Sequence, residues 1–121
     1  MSKPFDPYCV AFQSAIDILG RQWTALILGM LQEGPLRFGE LVDRSHGGGA
    51  KILSARLKEL DARGIVARTV EPGPPVRVMY ALTAKGRAFG QVARSIERWG
   101  RVLVGRTRRV RSPQTTIRRP R

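Results

Sequence analysis

Two spacings of apolar residues run through this chain, and each predicts a different kind of element. Val10, Phe12, Ile16 and Leu19 recur at helical intervals, and Gly20 closes that segment. Residues 23–31 (WTALILGML) are too apolar for a surface helix and predict a buried central one. Gly34-Pro35 stops it. Residues 38–42 fit a short helix and residues 45–49 (SHGGG) a turn. Residues 50–63 form the most regular helical pattern of the chain, ended by Gly64. The period then changes. Residues 65–70 and 76–82 read as strands, joined through the rigid loop Glu71-Pro72-Gly73-Pro74-Pro75 into a hairpin. Thr83 is suited to cap a final helix over residues 84–104.

This order predicts a fold that is mainly α with a small β-hairpin wing: a winged helix-turn-helix with N- and C-terminal dimerisation helices. Its expected limits are an irregular arm over residues 1–8, a DNA-binding and dimerisation domain over 9–105, and a basic, disordered tail over 106–121. The last helix carries Phe89, Val92, Ile96, Trp99, Val102 and Leu103 at intervals of three and four. Such a stripe, with Phe12 and Ile16 of the first helix, exceeds what a three-helix core covers and predicts a homodimer.

Charge adds a partner. The 121 residues hold 22 Lys and Arg against nine Asp and Glu, a net +13. Seven Arg and no acid fall in residues 106–121, leaving fifteen bases and nine acids elsewhere, a net +6. A polyanion is implied, nucleic acid or anionic membrane. No apolar run approaches the ~20 residues of a spanning helix, and the first residues lack the apolar stretch of a secretory signal. Cys9 is the sole cysteine, so no disulfide can form within the chain, as suits a reducing cytoplasm.

Duplex DNA fits best. Over residues 50–63, Leu53, Leu57 and Leu60 share one face, with Ile52 and Arg56 at its edge. The opposite face carries Lys51, Ala55, Lys58 and Ala62, with Ser54 beside it. A recognition helix needs this division: small residues let it enter the major groove, and Lys and Ser reach base edges and phosphates, so Lys51, Ser54, Ala55, Arg56 and Lys58 are its candidate DNA contacts. A solvated amphipathic helix shows the same pattern, so the short helix before it and the hairpin after it carry the distinction. On the wing, Arg77 and Arg68 are candidates for the minor groove or a phosphate, or are simply strand-face charges; Arg37 is a candidate phosphate contact.

Enzymatic readings find no support. His46 sits alone in a glycine turn, Gly47-Gly48-Gly49 lacks the ending of a phosphate loop, and no Cys/His cluster suggests a metal. No catalytic residue, metal or cofactor is expected. A winged helix that binds protein is disfavoured by the charge. A non-specific nucleic-acid-binding or chromatin-associated winged-helix protein is the alternative that the Arg-rich tail permits.

The chain resembles the HxlR-type winged helix-turn-helix regulators, relatives of the MarR regulators. The matching pieces are Asp6-Pro7-Tyr8-Cys9, Asp17-Ile18-Leu19-Gly20-Arg21-Gln22-Trp23-Thr24, and Gly34-Pro35-Leu36-Arg37-Phe38-Gly39-Glu40-Leu41. They continue with Lys51-Ile52-Leu53-Ser54-Ala55-Arg56-Leu57-Lys58-Glu59-Leu60, Pro74-Pro75, Arg77-Val78-Met79-Tyr80-Ala81-Leu82-Thr83 and Gly86. The resemblance implies an obligate homodimer on an inverted-repeat operator, most often a repressor. It also implies a candidate redox or electrophile switch at Cys9; the inducer and the target genes stay open. Three departures stand out. Gly48 and Gly49 replace an apolar residue and a capping Ser, which predicts a looser turn. Val10 follows the cysteine where Pro is usual, and Met79 replaces a frequent Glu on the wing.

Overall fold

The computed structural model describes residues 4–105; the expected basic tail and the first three residues of the arm lie outside them. The described residues fall into two compact units, one ending at Phe89 and one beginning at Gly90.

In the first unit, helix α1 spans Val10–Leu19 with Cys9 as its N-cap. The arm before it has no regular structure but is tied down. The Phe5 ring meets Phe12 edge-on at 5.0 Å, and the Asp6 carboxylate accepts the Tyr8 N–H at 2.9 Å. Helix α2 spans Thr24–Leu31 and is entered through Trp23, which is left-handed at φ 73°. It buries Thr24, Ile27, Leu28 and Leu31. Only one side is covered, however: Leu26 is 42% exposed, which corrects the expectation of a wholly buried helix.

After Gly34-Pro35 the chain forms strand β1, Leu36–Arg37, which the sequence did not predict. Helix α3 follows over Phe38–Arg44 and helix α4 over Ala50–Ala62. Strands β2 (Val66–Glu71) and β3 (Arg77–Leu82) make the expected hairpin. β1 adds to its other side, so an antiparallel sheet runs in the order β1-β3-β2. Leu36 pairs with Tyr80 and Val66 with Leu82, which places all four on the buried face. They join Ile27, Leu28, Leu31, Leu41, Leu53, Leu57 and Leu60 in one core.

The final helix is not continuous. Helix α5 covers Ala84–Arg87 and helix α6 covers Phe89–Val104, with Ala88 between them. Gly86 and Gly90 flank the interruption, and glycine is a poor helix former. Thr83 caps α5 as expected, its hydroxyl accepting the Gly86 N–H at 3.2 Å while it donates to the Gly64 carbonyl at 2.7 Å. In the second unit, α6 displays Val92, Ile96, Trp99, Val102 and Leu103 as exposed residues.

Candidate nucleic-acid interface

The helix-turn-helix is α3, the turn from Ser45 to Gly49, and α4. The turn has a lock that the glycines conceal in the sequence. Ser45 is buried, and its hydroxyl accepts the Gly48 N–H at 3.1 Å while lying 2.8 Å from the Val42 carbonyl, to which it donates. The turn is therefore pinned by Ser45 rather than left loose. Gly49 does serve as a bare N-cap of α4, with no side-chain bond.

Helix α4 divides as the leucine spacing requires. Leu53, Leu57 and Leu60 are at most 2% exposed. Lys51, Ala55 and Lys58 lie exposed on the opposite side, and Ser54 is half-buried beside them. Spacings of four and three residues put Lys51, Ala55 and Lys58 on one stripe. Among the described residues, neither lysine is in a salt bridge. Two cations flanking a methyl-sized residue, backed by a rigid leucine core, form a surface that fits a groove between phosphate rows.

Arg56 stands apart from this group. Its side chain is only 18% exposed, Nε donates to the Gln22 carbonyl at 2.9 Å, and Nη1 reaches Glu59 Oε2 at 3.1 Å. Its donors are turned toward the protein body. The Gln22 carbonyl comes from the α1–α2 turn, 34 residues earlier, where no local pattern in the sequence points to it.

The wing arginines separate by strand register. Arg37 pairs with Met79, and Arg77 lies two residues along β3 from Met79, so Arg37 and Arg77 share the outer face. Arg68 pairs with Tyr80 and lies on the other face, beyond the core edge. All three are exposed. Arg37 also opens α3: its N–H donates to Glu40 Oε1 at 2.8 Å, and its guanidinium lies 3.9 Å from the same oxygen.

Cys9 is exposed at the start of α1, where Sγ accepts the Phe12 N–H at 3.4 Å. The thiol thus sits at the N-terminus of α1, open to solvent. No helix among the described residues is long and apolar enough to cross a membrane.

Comparison with known proteins follows this geometry. Residues 18–108 match the model of the HxlR-like helix-turn-helix family. The HTH-type transcriptional regulator YvaP of Bacillus subtilis is 42% identical over 91 residues, covering 75% of this chain and 84% of YvaP. YodB, an HTH-type transcriptional regulator of the same organism, is 41% identical over 91 residues, or 75% of this chain and 81% of YodB. The structure of reduced YodB superposes with a TM-score of 0.70 at 40% identity, covering 76% of this chain and 90% of that one. YodB has also been solved diamide-treated and quinone-bound. The redox regulator HypR in its oxidised form gives a TM-score of 0.69 at 29% identity, over 74% of this chain and 93% of that one. With a winged helix-turn-helix fold and relatives of this kind, the chain belongs to the HxlR-like helix-turn-helix family of DNA-binding transcription regulators, which are not enzymes.

Proposed function

We propose that this regulator is a cytoplasmic repressor that binds an inverted-repeat operator as a homodimer, with α4 in the major groove and the wing against the flanking backbone. The observation that carries the reading is the exposed Lys51, Ala55 and Lys58 stripe on the side of α4 opposite its buried leucines. Bases are read by Lys51, Lys58, Ser54 and Ala55, and phosphates are held by Arg37 and Arg77 on the outer sheet face. The exposed residues Ile96, Trp99, Val102 and Leu103 of α6, and Ile16 of α1, support the second copy. Two-fold symmetry then sets the recognition helices about 34–36 Å apart, one DNA turn.

The test is selection of duplexes from a random-sequence library, followed by sedimentation of the best one with the protein. Enrichment of a near-palindrome and two protomers per duplex are expected. Lack of any enriched sequence favours non-specific coating; a monomer at micromolar concentration removes the dimer.

Cys9 is the proposed sensor of oxidants or electrophiles. With one thiol per chain, oxidation by diamide joins Cys9 of two protomers, each thiol losing a proton and an electron as the diazene is reduced to the hydrazine. That product needs the two Cα atoms within roughly 7 Å; a mixed disulfide or an alkylated Cys9 has no such requirement. Diamide is expected to abolish binding of the selected duplex by the wild type, reversibly with dithiothreitol, and to leave Cys9→Ser unaffected. Equal responses of the two proteins leave Cys9 without a sensing role.

A further inference from the structure

Apolar packing fixes how deeply a helix is buried better than it fixes rotation about the axis, because dispersion and burial are not directional. For α4 the roll matters. Side-chain tips lie about 5–6 Å from a helix axis, so a roll of about 20° moves Lys51 and Lys58 by about 2 Å, enough to break a hydrogen bond to a base. The leucine face leaves this freedom open, and something directional must close it.

One short stretch of chain does so. Residues 17–23, from the end of α1 through the turn into α2, touch α4 and its flanks at four levels. Trp23 lies over Gly48 so closely that a Cβ there would sit 3.3 Å from the indole. The Gln22 carbonyl accepts from Arg56 Nε at 2.9 Å, halfway along α4. Arg21 Nη1 reaches Glu59 Oε2 at 3.4 Å, the same oxygen that Arg56 holds at 3.1 Å. Asp17 Oδ2 lies 3.8 Å from both Arg21 and Arg63, the C-cap of α4.

We propose that residues 17–23 set the roll of the recognition helix, with Arg56 and Glu59 as positioning residues that lock α4 to the Gln22 carbonyl and do not contact DNA. Arg56 is suited to this because a guanidinium holds two partners in fixed directions, which an ammonium cannot do. Glu59 is the hub that orients both Arg56 and Arg21. The same stretch ends the helix capped by Cys9, so a displacement of α1 is passed to α4 through directional bonds as well as through packing. The inference rests on the proposed use of α4 as the reading helix.

The experiment compares wild type, Arg56→Gln, Glu59→Gln, Lys51→Ala and Lys58→Ala. The probes are the best duplex selected by the wild type from a random library and a random-sequence duplex pool. Electrostatics alone would make Glu59→Gln tighter on every DNA, since it removes a negative charge beside the interface. Positioning predicts the opposite on the selected duplex. Glu59→Gln and Arg56→Gln lose about tenfold in affinity there, the equivalent of one charge-assisted hydrogen bond, and bind the random pool no more weakly than the wild type does. The salt slope on the selected duplex stays at the wild-type value, and base preference weakens at all positions together.

A salt slope reduced by about 0.9 in Arg56→Gln, or preference relaxed at a single base pair, makes Arg56 a direct contact and overturns the proposal. Wild-type or tighter affinity of Glu59→Gln on the selected duplex overturns it as well. Should Arg56→Gln fail to fold, Glu59→Gln decides, because its carboxylate is partly exposed and the apolar core does not depend on it. Unchanged binding by both lysine variants is a different result: it removes α4 from the interface, and the proposal falls with that reading.

Discussion

Gly86→Ala is expected to cost about 3 kcal/mol or more, a large share of the roughly 5–15 kcal/mol that holds a domain folded. A Cβ at position 86 would meet the Ile65 carbonyl oxygen at 2.3 Å and Leu82 Cδ2 at 2.9 Å. The Leu82 side chain has some freedom to turn away. The Ile65 carbonyl does not, because it accepts the Thr83 N–H at 3.0 Å. Relief of the clash therefore pulls apart the joint between the start of β2, the end of β3 and the cap of α5. Urea titration should show a lower midpoint with an unchanged slope. The same substitution at Gly29 is the control. That glycine lies within α2 with nothing inside 4 Å of a built Cβ, and alanine there should stabilise by up to about 1 kcal/mol. Equal midpoints for the two variants would show that close approach at Gly86 does not govern stability.

Lys51→Ala with Lys58→Ala is expected to have the largest effect on DNA binding. Each contact, if made to a base, is worth about 1–3 kcal/mol, so each single variant should lose about tenfold on a selected duplex and the pair about a hundredfold. Stability should not move, because both side chains are exposed and opposite the core. Salt dependence sorts the contacts: a phosphate contact lowers affinity on every sequence and reduces the salt slope by about 0.9, whereas a base contact lowers it on the selected duplex alone. Wild-type affinity of the double variant at both low and moderate salt would exclude this face from the interface.

How much of this was legible in the sequence depends on how local the cause is. The leucines of α4 repeat within one helix, so their spacing alone gives both the buried side and the lysine side. Thr83 as a cap is equally local, since its partner is three residues on. Strand β1 has two residues and no alternation to detect; it exists because β3 offers a free edge to Leu36 and Arg37. Arg56 is a similar case. At the rim of the leucine face it reads as a DNA contact, and only the fold brings the Gln22 carbonyl, 34 residues earlier, beside it. Ser45 hides in a run that looks like a flexible glycine turn, because its lock depends on a hydroxyl folding back onto Gly48. The break at Ala88 is weakly signalled at best by Gly86 and Gly90, in a segment whose apolar stripe suggests one helix.

Trp23 combines a left-handed backbone with a large side chain, at φ 73°. Holding a residue with a Cβ in that region costs on the order of 1–3 kcal/mol, and glycine would remove the cost while deleting the indole that covers Gly48. Residue 23 is thus a compromise: the backbone there would be eased by losing its side chain, and the turn before α4 would be uncovered by the same change.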